Sequence, residues 1–401
     1  MSTPEALGLS TTRLDRLTKW GADLVASDKL AGLLTLIARK GEIAHLACHG
    51  MADRERNVAL QPDSLFRIYS MTKPITSLAI LMLYEEGHFL LDDPISRFIP
   101  EFKTMRVYAG GTPLRPVTVP AEREITFRHL LTHMSGFTYA FLDQHPVDAM
   151  YRASTLDRIA FGQSMPEQIT RLASLPLRAQ PGTEWHYSVS TDVLGHLVTL
   201  ISGLEFSEFL AQHVFTPLGM TDTNFTIRPD QLPRFTSVYA KAADGTLKPV
   251  DDAQASPFAQ PRRLSSGGGG LISSAADYLR FCQLILGKGE AFGTRLLSRK
   301  TIDLMITDHV GEAETCAGLT RLGGIPRHGL GFGLGFQVML NPVHAQIIGT
   351  PGEISWGGAA STQFFIDPAE DLIAILMTQH MPAGIHPLAE QLRVLTYQAL
   401  T

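Results

Sequence analysis

Between Ser10 and Ser27, apolar residues fall at Leu14, Leu17, Leu24 and Val25. That is the stripe of an amphipathic helix, and Ser10 supplies a capping residue at its start. Two apolar runs follow, Leu33 to Ala38 and Ile43 to Cys48, interrupted by Arg39-Lys40-Gly41-Glu42. This predicts a β-hairpin. From Ser70 onward the period changes: Ile75, Leu78, Ala79, Met82 and Leu83 keep the i, i+3, i+4, i+7, i+8 spacing of a helix, with Gly87 as its stop. Pro74 lacks an N–H, which a helix tolerates only in its first turn, so this helix begins close to Ser70.

Residues 90 to 235 are rich in short helical patterns, Pro and His, with no convincing alternation of period two, and read as a helical insertion. Strand-like stretches return at 331–340 (GFGLGFQVML), 361–367 (STQFFID) and 371–378 (DLIAILMT), before a last helix from Pro387 to Leu400. Strands at both ends of the chain imply one sheet assembled from N- and C-terminal parts. The expected class is α+β. A discontinuous α/β domain takes residues 1–88 and 236–401, and a mainly helical domain takes 89–235.

The 401 residues, 44% of them hydrophobic, exceed what one core usually fills. A net charge of -5 without long runs of either sign gives no reason to expect nucleic acid or an anionic membrane as partner. The start, MSTPEALGLSTTRLDRL, does not read as a secretion signal, so the expected location is cytoplasmic. The richest apolar runs, at 78–84 and 372–377, are too short to span a bilayer and suit a core helix and a core strand. Cys48, Cys282 and Cys316 are odd in number and widely spaced, which argues against a disulfide framework and for buried filler.

Three segments could carry chemistry. In Ser70-Met71-Thr72-Lys73, three residues along a helix bring the amine over the hydroxyl. A lysine acts as a base only where its neutral form is favoured, and the flanks Phe66, Ile68, Tyr69, Pro74 and Ile75 supply partial desolvation. Tyr187 follows a Pro181-Gly182 turn and precedes a helical stripe at Val193, Leu197, Leu200 and Ile201. Its phenol could relay a proton if a nearby ammonium lowered its pKa. Ser355-Trp356-Gly357-Gly358-Ala359 opens a strand whose glycines allow close approach of a ligand and leave N–H groups for an oxyanion. Each has a plain structural alternative: a surface Ser and Lys, a buried Tyr, a tight turn.

Taken in order, Ser70-x-x-Lys73, Tyr187-Ser188 and Trp356-Gly357-Gly358 resemble the serine β-lactamase and penicillin-binding-protein superfamily, and within it the class C β-lactamase-like carboxylesterases and transesterases. LLTHMSGF (130–137), SSGGGGLISSAADYLRF (265–281) and residues 357–379 look like signature segments of that family, and the likeness runs from about residue 10 to the C-terminus. It implies a β-lactamase/transpeptidase-like fold with the site between the two lobes. It also implies an acyl-enzyme on Ser70, Lys73 as base or its partner, and Tyr187 as relay to the leaving group. Ser70 and the strand near Ala359, with Trp356, Gly357 and Gly358, would form the oxyanion and substrate-binding part. No cofactor and no metal is implied; the partner is a small ester. Two departures matter: Val189 stands where β-lactamases carry Asn, and no Lys-Thr-Gly triplet occurs, Trp356-Gly357-Gly358 taking its place. Loss of the cation that pairs with a substrate carboxylate favours a neutral acyl substrate.

His129 and His133 are spaced i, i+4 but lack the Glu of a zinc motif, which favours packing. Gly267 to Gly270 is followed by no phosphate-loop Lys and reads as a turn feeding a helix near the site. No Gly-x-Ser-x-Gly occurs, against an α/β-hydrolase. An esterase leads; an acyltransferase, a weak β-lactamase or D-alanyl peptidase, and a non-catalytic binding protein remain as alternatives.

Overall fold

The computed structural model describes residues 2–156, 164–260, 264–311 and 328–401, so Cys316 lies outside the described residues. Eight of the described strands form one sheet: β1 (Gly32–Arg39), β2 (Glu42–Asp53), β3 (Val58–Ala59), β4 (Leu330–Phe332), β5 (Gln337–Met339), β6 (Ile354–Gly357), β7 (Gln363–Asp367) and β8 (Leu372–Thr378). Their order is β4-β5-β6-β7-β8-β1-β2-β3, antiparallel throughout. The two ends of the chain meet at β1 and β8, from Leu33 opposite Thr378 to Arg39 opposite Leu372.

Both faces of this sheet are covered, which explains why its central strands read as unbroken apolar runs. Leu33 and Ile37 of β1, Leu372, Ala374 and Leu376 of β8, and Phe365 of β7 pack with Leu14, Leu17 and Leu24 of α1 (Thr11–Ala26) and Leu388 and Leu392 of the C-terminal helix. The alternate residues Leu34, Leu36, Ala38, Ile373, Ile375 and Met377 face the larger core. There they meet α2 (Thr72–Glu85) and, farther on, α3 (Ser190–Ser202) and α4 (Ala275–Leu286). The C-terminal helix is α5 (Leu388–Tyr397). α2 is buried around almost its whole circumference, with Ile75, Leu78, Ala79, Ile80 and Leu81 all excluded from solvent. Each such side chain contributes roughly 1.5–3 kcal/mol. Ser10 caps α1 by accepting the Arg13 N–H.

The expected single strand at 331–340 is instead the hairpin β4–β5. Gly333 and Gly335 break it: Gly335 has φ +103°, and a Cβ there would lie 2.4 Å from Ser77 Oγ on α2. The helical reading of 90 to 235 also needs correction, because Arg106–Thr112 and Arg115–Pro120 pair as an antiparallel hairpin. Its two faces are largely solvated, with Leu114 and Val117 exposed, so it carries no buried period-two pattern to read. No single described helix is long and apolar enough to cross a membrane.

α5 is pinned to the start of β6 by a buried ion pair. Arg393 Nε and Nη2 donate to Glu353 Oε1 at 2.9 and 2.7 Å, and Tyr397 Oη donates to Glu353 Oε2 at 2.8 Å. Both charged groups are almost wholly buried. Arg393→Met leaves the carboxylate without its cation and should cost about 3–5 kcal/mol in urea unfolding. A loss below about 1 kcal/mol would show that Glu353 tolerates isolation.

Candidate active site

The segment before α2 is held from both sides. Arg67 is fully buried: Nη2 donates to Asp251 Oδ1 and Ser256 Oγ, both at 2.8 Å, and the guanidinium lies 4.0 Å from the Phe235 ring centre. Its backbone N–H and C=O are both taken by the Gln379 side chain at 3.1 Å. Ile68 donates to Leu271 O, Tyr278 Oη donates to Met71 O, and Thr72 Oγ1 accepts from Leu271 N–H. Between these anchors Tyr69 has φ +42°, a left-handed conformation that costs a non-glycine residue roughly 1–3 kcal/mol and turns the next residue, Ser70, outward. Ser70 sits in a 3-10 turn, Tyr69–Met71, and α2 begins two residues after it.

On the first turn of α2, Lys73 is 1% exposed. Its Nζ lies 3.3 Å from Ser70 Oγ and donates to the Gly268 carbonyl at 2.6 Å. Tyr187, in the irregular segment just ahead of α3, donates its hydroxyl to Ser70 Oγ at 2.5 Å. Lys73 Nζ is 4.5 Å from the Tyr187 ring centre. The hydroxyl, the amine and the phenol singled out from the sequence therefore converge at one point.

Burial sets their protonation. It depresses the Lys73 pKa to about 7, while the Asp192 carboxylate pulls the other way. It also lifts the Tyr187 phenol above its ordinary value, against the opposing pull of Ser70. The expectation that an ammonium would lower the phenol is thus corrected: both groups are pushed toward their neutral forms, because neither has water to solvate a charge.

Trp356 is buried on β6, its ring 5.7 Å from that of Tyr187. Among the described residues its Nε1 has no partner in hydrogen-bonding geometry, yet it is near enough to the phenol to favour its ionised form. Gly357 pairs with Gln363 across β6 and β7. A Cβ on Gly358 would lie 2.5 Å from the Ile68 carbonyl, so this turn presses directly on the Ser70 segment. The Gly358 N–H is spent on Thr362 O at 2.8 Å, which removes it as an oxyanion donor. Ala359 is exposed beside it, with its carbonyl held by Ala383 N–H. Among the described residues no carbonyl receives the Ala359 N–H.

His129 and His133 do not share a helix face. The helix Phe127–Leu131 ends before His133, which has φ +57°. His129 Nδ1 accepts the Thr126 N–H in a capping box. His133 packs edge-on to Tyr187, its Nδ1 is 3.1 Å from Ser188 Oγ, and its carbonyl accepts the His186 N–H, clamping both neighbours of Tyr187. Burial holds its imidazole neutral. Cys282 is buried and Cys48 is partly so, with burial raising the Cys48 thiol to about 11; neither is an activated nucleophile.

Asp192 was not singled out from the sequence, whereas the Gly267–Gly270 turn that it holds was read there as lying near the site. Asp192, on the first turn of α3, accepts from Ser266 Oγ at 2.5 Å and from the Gly268 N–H at 3.0 Å, with Tyr139 Oη 3.5 Å away. The signal available was a carboxylate at a buried helix start, which propensity alone explains.

Comparison with known proteins gives the family and the fold. The family model described as Beta-lactamase matches residues 17–398. Protein Rv1367c of Mycobacterium tuberculosis (strain ATCC 25618 / H37Rv) is 35% identical over 356 residues, 88% of this chain and 86% of that protein. Esterase EstB of Burkholderia gladioli is 32% identical over 394 residues, 92% of this chain and 91% of that protein. Among solved structures, EstCE1, a hydrolase with promiscuous acyltransferase activity, superposes with a TM-score of 0.80 at 25% identity, covering 96% of this chain and 99% of that one.

Space at Gly268 is the sharpest check on the arrangement. A Cβ there would lie 2.3 Å from Asp192 Oδ2 and 2.8 Å from Tyr139 Oη, so Gly268→Ala must displace the turn that holds Lys73. Labelling of Ser70 by a fluorophosphonate should slow by about 100-fold, the order of loss that a displacement near 1 Å brings. Unchanged labelling would show that this turn does not position the amine.

Proposed function

The chain belongs to the Beta-lactamase family, and within it we propose a serine carboxylesterase that cleaves short-acyl esters through an acyl-enzyme on Ser70. One observation carries the reading: the Ser70 hydroxyl receives the Tyr187 O–H at 2.5 Å and has a buried amine with a pKa near 7 within 3.3 Å. A hydroxyl that accepts from a phenol is free to donate its own proton to a neutral amine, and Lys73 is neutral in a large fraction of molecules near neutral pH.

The steps follow from those contacts. Lys73 takes the Ser70 proton as Oγ attacks the ester carbonyl carbon. The oxyanion that develops is met by the N–H groups of Ser70 and Ala359. The Tyr187 O–H protonates the departing alkoxide, and the Lys73 ammonium returns a proton to Tyr187. Water then attacks the acyl-enzyme by the same route in reverse, so the protons balance over the cycle.

Trp356 and Val189 support an ester over a β-lactam. Both are buried and neither carries a charge, so Trp356 on the strand beside the nucleophile and Val189 at the start of α3 offer no cation to a substrate carboxylate. Acyl transfer is the second reading. It uses the same acyl-enzyme with an alcohol in place of water, and the promiscuous acyltransferase activity of the hydrolase EstCE1 favours it as a side reaction. Product analysis with an added alcohol separates the two.

Ser70→Ala should lower turnover of p-nitrophenyl acetate and butyrate by about 10⁴-fold or more, with nitrocefin a poor substrate of the native enzyme. Full activity in that variant would end the reading. Because Lys73 must be neutral to accept a proton, kcat/KM should rise with pH through about 7. A flat profile between about pH 5 and 9 would exclude Lys73 as the base.

A further inference from the structure

Lys73 and Asp192 are joined through a single residue. Gly268 gives its N–H to Asp192 Oδ1 at 3.0 Å and receives the Lys73 amine on its carbonyl at 2.6 Å. Asp192 itself is 2% exposed. The Ser266 hydroxyl and the Gly268 N–H are directed at one of its oxygens and the Tyr139 hydroxyl at the other, the pattern of an ionised carboxylate. No side chain larger than hydrogen fits at position 268 without striking that carboxylate or Tyr139. The turn 266–268 is thus held by the anion on one side and holds the amine on the other.

The groups that face Lys73 are Ser70, the rings of Tyr187 and Tyr139 at 4.5 and 5.3 Å, His133 and Asp192. Burial keeps both phenols protonated and His133 neutral. Burial raises the Asp192 pKa as well, but Lys73, Ser266, the Gly268 N–H and Tyr139 all oppose it, and Asp192 is the remaining group in this set that carries a charge. Its negative charge favours the ammonium, whereas catalysis on the reading above requires the amine.

We propose that Asp192 is a positioning residue for Lys73: through Gly268 it fixes where the amine sits, and its charge sets the pH at which that amine becomes a base. The proposal rests on the assignment of Lys73 as base. It makes Asp192 a restraint on activity at low pH as well as a support for geometry, two roles that separate experimentally.

Asp192→Asn keeps the size and an acceptor for Ser266 and Gly268 while removing the charge. The readouts are p-nitrophenyl acetate turnover and fluorophosphonate labelling of Ser70, each followed against pH. Without the carboxylate the ammonium is less favoured, so the acid limb should move to lower pH by about one unit. Relative to its own alkaline plateau, the variant should then be about fivefold faster than the native enzyme near pH 6. Ser266→Ala removes one hydrogen bond but keeps the charge, and should lower the plateau while the acid limb stays in place. An acid limb unmoved in Asp192→Asn overturns the proposal and leaves the esterase reading standing. Native protein that labels at no pH overturns that reading, and the proposal with it. Should Asp192→Asn not fold, Asp192→Glu decides: a lowered plateau with the limb in place supports the proposal, and an unchanged plateau refutes it.

Discussion

Withdrawing the Lys73 side chain from water is the constraint around which the rest of this structure is arranged. A lysine amine in bulk water is held as the ammonium, which has no lone pair to accept a proton, and here it is desolvation that brings its pKa into the neutral range. That desolvation requires Lys73 to sit in the first turn of a helix apolar on nearly every face, packed against a covered sheet. It also requires that the polar atoms of the amine still find a partner, or the helix would not tolerate it. The Gly268 carbonyl meets that need, and Asp192 in turn holds the Gly268 turn. Neighbouring titratable groups obey the same rule, for Tyr187, Tyr139 and His133 are all pushed toward neutrality by burial.

The sheet serves this site as a rigid frame. β1 and β8 join the two ends of the chain, and Gln379, just past β8, clamps the backbone of Arg67 three residues ahead of Ser70. From the other side the turn after β6 presses Gly358 onto Ile68. A left-handed Tyr69 between such anchors is strain that the surroundings over-determine, and its effect is to expose one hydroxyl at the mouth of a buried cluster. The Ser70–Lys73 pair, Tyr187 and Trp356 come from three widely separated segments, yet each stands on an element whose backbone is fixed by packing or side-chain hydrogen bonds. Preorganisation of this kind is what electrostatic catalysis needs, since nothing must reorient as charge develops.

Periodicity and punctuation made the scaffold legible where burial was one-sided or complete: the stripe of α1, the runs that became β1 and β8, and the start of α2 fixed by Pro74. They failed where burial was absent or glycine intervened. The exposed hairpin 106–120 has no buried face to imprint a period, and the glycines at 333 and 335 split an apparent strand into β4 and β5. In the site, Ser70, Lys73 and Tyr187 were readable because their spacing and context together resemble a family. Asp192 was not, because an acidic residue at a helix start has an ordinary explanation, and its link to Lys73 runs through a backbone carbonyl that no sequence pattern reports.

Desolvation bears on substrate class as well. A β-lactam or a peptide C-terminus brings a carboxylate into the site, and burying that charge without a cation costs several kcal/mol. Where a Lys-Thr-Gly strand would supply the cation, this chain places the buried indole of Trp356 against Tyr187. A further ammonium beside Lys73 would also depress its proton affinity, so a site that uses one lysine as base gains nothing from a second unless the substrate is anionic. An uncharged ester makes no such demand: on the proposed reading its carbonyl needs two N–H donors, from Ser70 and Ala359, and its alkoxide one proton, from Tyr187. Replacing a cation by an aromatic ring therefore acts twice, removing an anchor for charged substrates and leaving Asp192 as the charged residue, among the described ones named above, that faces Lys73.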